Sequence, residues 1–310
     1  MNKSCIIVGG GIAGPATALA LTRIGIKCTI YELRDGTSEI GGAIQLPPNA
    51  IRLLDDLNIS VTGCIVKQIE MFSLQTSERI GSIPFAESNG YARRVLRADL
   101  KQSLLDAVNK NGIELVYNSQ LVSIEEDTSM NIIRAIFSNG TTAEADFLVG
   151  CDGVHSTVRS AYVEPDCKPI YTGAAGAYSI IATDIIKSPL HFQDTGLNMS
   201  RHGTILTTFI DETRSRLYIG AVMETPSLET KDEWRAKGQE HDEIIREIHR
   251  RYDDSSIPSV PEMISQMSDL ILYPIFTLPP NGKWSRGRAV LIGDAAHAVS
   301  LPPTPSPPRI

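Results

Sequence analysis

The residues with the clearest chemical purpose are glycines. In the stretch VGGGIAG, Gly9, Gly11 and Gly14 form a Gly-x-Gly-x-x-Gly pattern between an apolar run at 4–8 and a helix-forming stretch at 12–24. Such a turn suits a pyrophosphate. The first glycine permits the sharp bend, the second keeps a Cβ out of the path of the phosphates, and the third lets helix and strand pack closely. The helix N-terminus then offers unpaired N–H groups and the positive end of a dipole. Glu32 ends a second apolar run at 27–31, where its carboxylate can accept hydrogen bonds from an adenosine ribose. Strand, turn, helix, strand and acid specify a dinucleotide, but they do not choose between NAD and FAD.

Two later segments repeat the theme of an acid beside a glycine at a strand end. LVGCDGVHSTVR (148–159) carries Asp152-Gly153 and then Arg159, and GRAVLIGDAAH (287–297) carries Gly293-Asp294. A carboxylate so placed can accept from two adjacent hydroxyls, although either acid could also open a turn or cap a helix. Arg159 could pair with phosphate charge.

With these three segments in this order, the chain resembles the flavin-dependent aromatic hydroxylases, the para-hydroxybenzoate-hydroxylase-like monooxygenases, and within them the salicylate- and urate-hydroxylase-like branch. The resemblance extends to about Ser300. It implies FAD as cofactor, with Asp294 on the ribitol hydroxyls and Asp152 near the pyrophosphate, in a segment linked to both FAD and NAD(P)H. It puts Arg97 of VLRADL against the phosphates. Gly42 and Ala43 of the GGAIQLPPN loop would lie beside the flavin. It further implies that NAD(P)H reduces FAD and that O₂ forms a C4a-hydroperoxide, which hydroxylates an electron-rich small-molecule ring. The protein's part is to hold, orient and shield the cofactor. Substrate contacts would fall at 165–280, where Arg201, His202, Tyr178 and Tyr218 are the polar candidates, Arg201 and Tyr218 being taken as catalytic. His155 and His297 read as structural. A flavin epoxidase acting on an isoprenoid, an FAD-binding protein with little turnover and a nicotinamide dehydrogenase are the alternatives.

These residues need elements to position them. Apolar runs at 4–8, 27–31, 114–118, 121–126, 131–137, 145–150, 271–276 and 288–292 read as strands. Asn139-Gly140 marks a hairpin. Helices are expected at 12–24, 49–57 and 96–110, and the charged stretch 231–251 reads as a solvated helix with one apolar side. The fold class is therefore α/β: a Rossmann-like FAD-binding domain of the glutathione-reductase type with an inserted β-rich substrate domain. The expected division is 1–165, 166–280, 281–300 and a tail at 301–310.

Composition agrees with a globular enzyme: 42% hydrophobic and 21% charged residues over 310 positions. A net charge of −7 disfavours a nucleic-acid partner held through phosphates. Five cysteines without a C-x-x-C pair suggest buried thiols in a reducing, cytoplasmic setting. The glycines and Pro15 interrupt the apolar N-terminus, which argues against a signal peptide, and no run of 18 apolar residues suggests a membrane span. The oligomeric state is not legible. Relatives in the resembled family continue past the Gly-Asp segment through a G-x-G-x-N loop and a helix. Here TPSPPRI follows, and its prolines lack N–H donors and resist helix formation. The expectation is a disordered tail and a shortened pyrimidine-side cradle.

Overall fold

The computed structural model describes residues 3–36, 41–85 and 91–298. The Pro-rich tail lies outside the described residues. The chain forms two compact units. One takes Leu100–Thr172 with the described parts of Met1–Ile40 and Phe276–Pro303, and the other takes Gly173–Ile275 with the described part of Gly41–Asp99.

The first unit is built on a six-stranded sheet in the order Ser285–Arg286, Ala289–Leu291, Phe147–Gly150, Ser4–Val8, Lys27–Tyr31, Glu114–Val116. Its five longer strands run parallel. Cys5 to Val8 are buried in succession, as in a parallel strand covered on both faces. The helix Ala13–Arg23 buries Gly14, Pro15, Ala18 and Leu19. A three-stranded antiparallel sheet (Leu121–Asp127, Ile132–Phe137, Thr142–Ala145) turns at Asn139-Gly140, where Gly140 has φ +81°. Ile133, Ala135 and Phe137 join Ile6, Leu148 and Leu291 in one core.

The second unit has a seven-stranded sheet in the order Ile271–Thr277, Ile170–Ala182, Arg216–Glu224, Gly203–Phe209, Thr195–Ser200, Gln68–Ser73, Arg79–Pro84. Ile205, Leu217, Ile219 and Ala221 pack one face against Ile248, Tyr252, Val260 and Ile264 of the helices. Alternation turns Tyr178, Tyr218, Gly176 and Gly220 to the other face. A three-stranded sheet joins Ala43–Leu46, Ala92–Leu96 and Cys64–Val66.

Three sequence expectations shift. Residues 41–99 group with the later β-rich segment, because Gln68–Ser73 pairs in parallel with Thr195–Ser200. The anticipated loop at 41–49 contains the strand Ala43–Leu46, paired to Arg93–Leu96. The charged stretch breaks at Glu240 into Lys231–Gln239, which starts in a Thr230–Glu233 capping box, and His241–Tyr252, which buries Ile244, Ile248 and Tyr252.

His191 bridges two buried groups of this unit, Ser259 Oγ at 3.0 Å through Nδ1 and Asn198 Oδ1 at 2.6 Å through Nε2. Burial lowers its pKa from the ordinary 6.5. A depressed folded-state value means the neutral ring stabilises the fold above pH 6.5, and that contribution is lost as pH falls through the folded value. The melting temperature is therefore expected to fall on acidification below that point, and His191→Gln to flatten the slope. An unchanged slope in the variant would contradict this.

Candidate active site

The parallel register levels the strand ends of the first unit. Val8 pairs with Tyr31 on one side and Gly150 on the other, and Gly150 pairs with Leu291. The residues that follow these four are the ones the sequence singled out: Gly9, Glu32, Cys151-Asp152 and Ile292-Gly293-Asp294. Three strand spacings separate the outer two, roughly 14 Å, a span suited to an extended ligand. Backbone bonds tie the ends together, from Gly9 N to Tyr31 O at 2.8 Å, Cys151 N to Val8 O at 2.7 Å and Ile292 N to Gly150 O at 3.0 Å. Such crevices at the carboxyl ends of parallel strands are where α/β folds bind nucleotides.

The glycines divide the work by geometry. Gly9 has φ +110°, and a Cβ there would meet the Cys151 carbonyl. A Cβ on Gly14 would collide with the Gly9 carbonyl, so this glycine serves packing. A Cβ on Gly11 would meet nothing within 4 Å. Packing thus does not require Gly11, and the space beside it is open to a phosphate. The helix Ala13–Arg23 begins at Ile12 with no side-chain cap, so its first N–H groups remain available to an anion.

Glu32 Oε2 accepts from Gly10 N at 2.6 Å and Oε1 from Arg34 N at 2.9 Å. Each oxygen keeps a further lone pair for a ribose diol. Asp294 is exposed, opens the short helix Asp294–His297 and makes no hydrogen bond among the described residues. Gly293 lies 3.3 Å, measured from an added Cβ, from the Ala13 side chain. The Gly-Asp segment therefore sits against the start of the glycine-turn helix. An uncapped helix start, an open position at Gly11 and two strand-end carboxylates fit FAD.

Two other expectations find the protein itself as partner. Asp152 accepts from Ser156 Oγ at 2.6 Å, Thr157 N at 2.7 Å and Val158 N at 3.1 Å. It caps the turn that follows. Burial raises its pKa, opposed by these donors. Arg159 is 2% exposed and donates to the carbonyls of Ala295 at 2.8 Å, Val154 at 2.5 Å and Cys167 at 3.4 Å. Its donors are committed to backbone instead of a phosphate, and it links the Asp-Gly segment to the Gly-Asp segment.

In the second unit, Tyr178 and Tyr218 stack at 5.2 Å between centroids. A Cβ on Gly42 would lie 3.0 Å from Tyr218 and 3.3 Å from Tyr178, so the glycine lets the backbone approach both rings. Ala43 packs on the same cluster. Arg97 is exposed, its N–H bonds to Gly42 O at 2.9 Å, and its guanidinium forms no ion pair among the described residues. Burial pushes the Tyr218 phenol well above its ordinary value, so it stays protonated. Arg201 does not join the tyrosines. It sits exposed in the turn beyond Ser200, with Nε 3.0 Å from His202. Tyr218 is level with Thr208, five residues from the hairpin end at Gly203, roughly 17 Å along the sheet. Sequence reading missed Arg94, which is buried and paired in register with Gln45. Its position in the alternating strand Ala92–Leu96, on the face of Ala92, was the available signal.

Fold and strand ends together define a dinucleotide-binding protein. A model of the FAD binding domain family matches residues 2–305, and the chain belongs to that family. It is an FAD-dependent monooxygenase. It is 26% identical over 302 residues to an FAD-dependent urate hydroxylase of Mycolicibacterium vanbaalenii, covering 94% of this chain and 73% of the relative. It is 26% identical over 305 residues to a 6-hydroxynicotinate 3-monooxygenase of Pseudomonas fluorescens, covering 94% and 76%. The fold matches that of Klebsiella pneumoniae HpxO complexed with FAD and uric acid, with a TM-score of 0.80 and 22% identity over 96% of this chain and 74% of the other. Among the described residues, no helix is long and apolar enough to cross a membrane.

Two substitutions separate binding from packing. Gly11→Ala should leave the melting temperature unchanged and weaken FAD binding about tenfold or more, read by flavin fluorescence. Gly14→Ala should lose both, with a stability cost of about 1–3 kcal/mol. Asp152→Ala, stripped of its cap, should lose about 1–2 kcal/mol in denaturant unfolding. An unaltered midpoint would show the cap to be dispensable.

Proposed function

We propose that the enzyme hydroxylates an electron-rich aromatic ring, with NAD(P)H as reductant and O₂ as oxygen source. The observation that carries this reading is the aromatic floor of the second unit. Tyr178 and Tyr218 stack beside the Gly42 backbone, and Gly176 and Gly220 leave room for the rings of Tyr273 and Tyr218 to lie along the sheet. A planar substrate suits such a surface. The urate and 6-hydroxynicotinate chemistry in the names of relatives supports a ring bearing oxygen substituents.

FAD, when bound, supplies the oxygen-transfer chemistry. The chain's residues supply placement. Glu32 accepts from the adenosine ribose, the N–H groups at Gly11 and the helix start take the pyrophosphate, and Asp294 accepts from the ribitol. Asp152 and Arg159 hold the two strand-end segments in place from behind. Tyr218, kept neutral by burial, donates a hydrogen bond to a ring oxygen of the substrate. That interaction orients the ring and holds its proton inventory constant across the working pH range. Arg201, at the far end of its hairpin, has no part in this assignment.

Anaerobic reduction of the flavoprotein by NADH or NADPH, followed by aerobic turnover with hydroxylated benzoates and pyridines, tests the proposal. Reductant consumption matched by hydroxylated product is expected. Reductant consumption that yields only hydrogen peroxide with every ring would refute it. Tyr218→Phe should reduce kcat/KM by roughly ten- to a hundredfold, as for a lost hydrogen bond to a polarised oxygen.

A further inference from the structure

The two most buried arginines of the described residues are treated in opposite ways. Arg159 spends its guanidinium on three backbone carbonyls. Arg94, 6% exposed, makes one hydrogen bond, from Nη2 to Gln45 Oε1. A guanidinium carries five N–H donors. Here Nε is buried without a partner, and no carboxylate lies within ion-pair distance among the described residues. An uncompensated buried cation is among the most costly arrangements a fold can retain.

The cost is concentrated at one place. Arg94 and Leu96 lie two residues apart in one strand, paired with Gln45 and Ala43, and both Leu96 and Ala43 pack on the cluster in which Tyr218 stacks on Tyr178. Among the described residues, Tyr178 Oη is also buried and has no hydrogen-bond partner. A cation and a hydroxyl, both short of partners among the described residues, thus belong to neighbouring parts of one aromatic cluster. Burial lowers the Arg94 pKa to about 10, which still leaves it cationic at neutral pH. Charge and donors together call for an anionic oxygen.

We infer that Arg94 is a specificity-determining residue that binds a negatively charged oxygen substituent of the aromatic ligand, with Tyr178 as a second donor. The inference deepens the hydroxylase reading, since it takes the ligand to be the substrate, and it assigns the preferred substrate a carboxylate or an ionised hydroxyl. Gln45 holds the guanidinium from the opposite side. A neutral ring of the same shape would leave the cation unpaired and bind more weakly.

The test is ligand-induced thermal stabilisation of the full chain, which does not depend on turnover. Benzoate should raise the melting temperature and benzamide should not. 4-Nitrophenol, tested in its ionised and neutral forms, distinguishes a carboxylate from an ionised hydroxyl as the preferred source of charge. In Arg94→Met the benzoate shift should disappear, with binding weakened roughly ten- to a hundredfold. The unliganded variant should melt at or above the wild-type temperature, because a buried unpaired charge has been removed. Arg94→Lys, which keeps the charge, should retain part of the shift and guards against misfolding of the methionine variant. The inference is overturned if benzoate and benzamide stabilise equally, if neither anion stabilises the wild type, or if Arg94→Met responds to benzoate as the wild type does. An Arg94-dependent benzoate shift in a protein that hydroxylates no ring would defeat the functional reading and leave only the aromatic-anion site at Arg94 standing.

Discussion

The site of the first unit depends on register. Parallel pairing sets Val8, Tyr31, Gly150 and Leu291 side by side, so the next residue or two of each strand emerge in one row. Parallel ladders fix this alignment through evenly spaced backbone bonds, and a slip of one residue would turn every side chain to the opposite face and offset the strand ends. The carboxylates of Glu32, Asp152 and Asp294 owe their common edge to this alignment. The acids then diverge by local environment. Asp152 is consumed by three internal donors, whereas Asp294 is left open. Similar acid–glycine segments therefore differ in use, one serving as a brace and the other keeping its carboxylate exposed.

The second unit depends on alternation along its strands. Placing Leu217 and Ile219 against the helices forces Tyr218 to the opposite face, and Gly176 and Gly220 beside it leave room for broad rings to lie down. The packing that stabilises the sheet also sets Tyr178 and Tyr218 side by side against the Gly42 backbone. Burial keeps Tyr218 a neutral donor.

Much of the first unit was legible because its signals are local. The glycine turn, the acid at 32 and the two acid–glycine pairs are punctuated by residues whose backbone needs are specific, such as Gly9 at φ +110°. The fold class followed from the βαβ pattern. What was not legible depended on long-range pairing. The parallel match of Gln68–Ser73 with Thr195–Ser200 leaves no trace in either segment, so residues 41–99 were grouped with the wrong neighbours. Arg159 seemed suited to a phosphate because arginine usually is, and only the carbonyls of Val154, Cys167 and Ala295 reveal its other use. Arg201 and Tyr218 were paired by residue type, while the hairpin register sets them far apart.

The central claim is that one FAD molecule lies along the levelled strand ends. A crystal structure of the chain grown with FAD tests it most directly. The predicted density has the adenosine ribose on Glu32, the pyrophosphate beside Gly11 and the helix start, and the ribitol chain on Asp294. Density that places the adenosine away from Glu32, or that leaves Asp294 without a ribitol contact, would contradict the account.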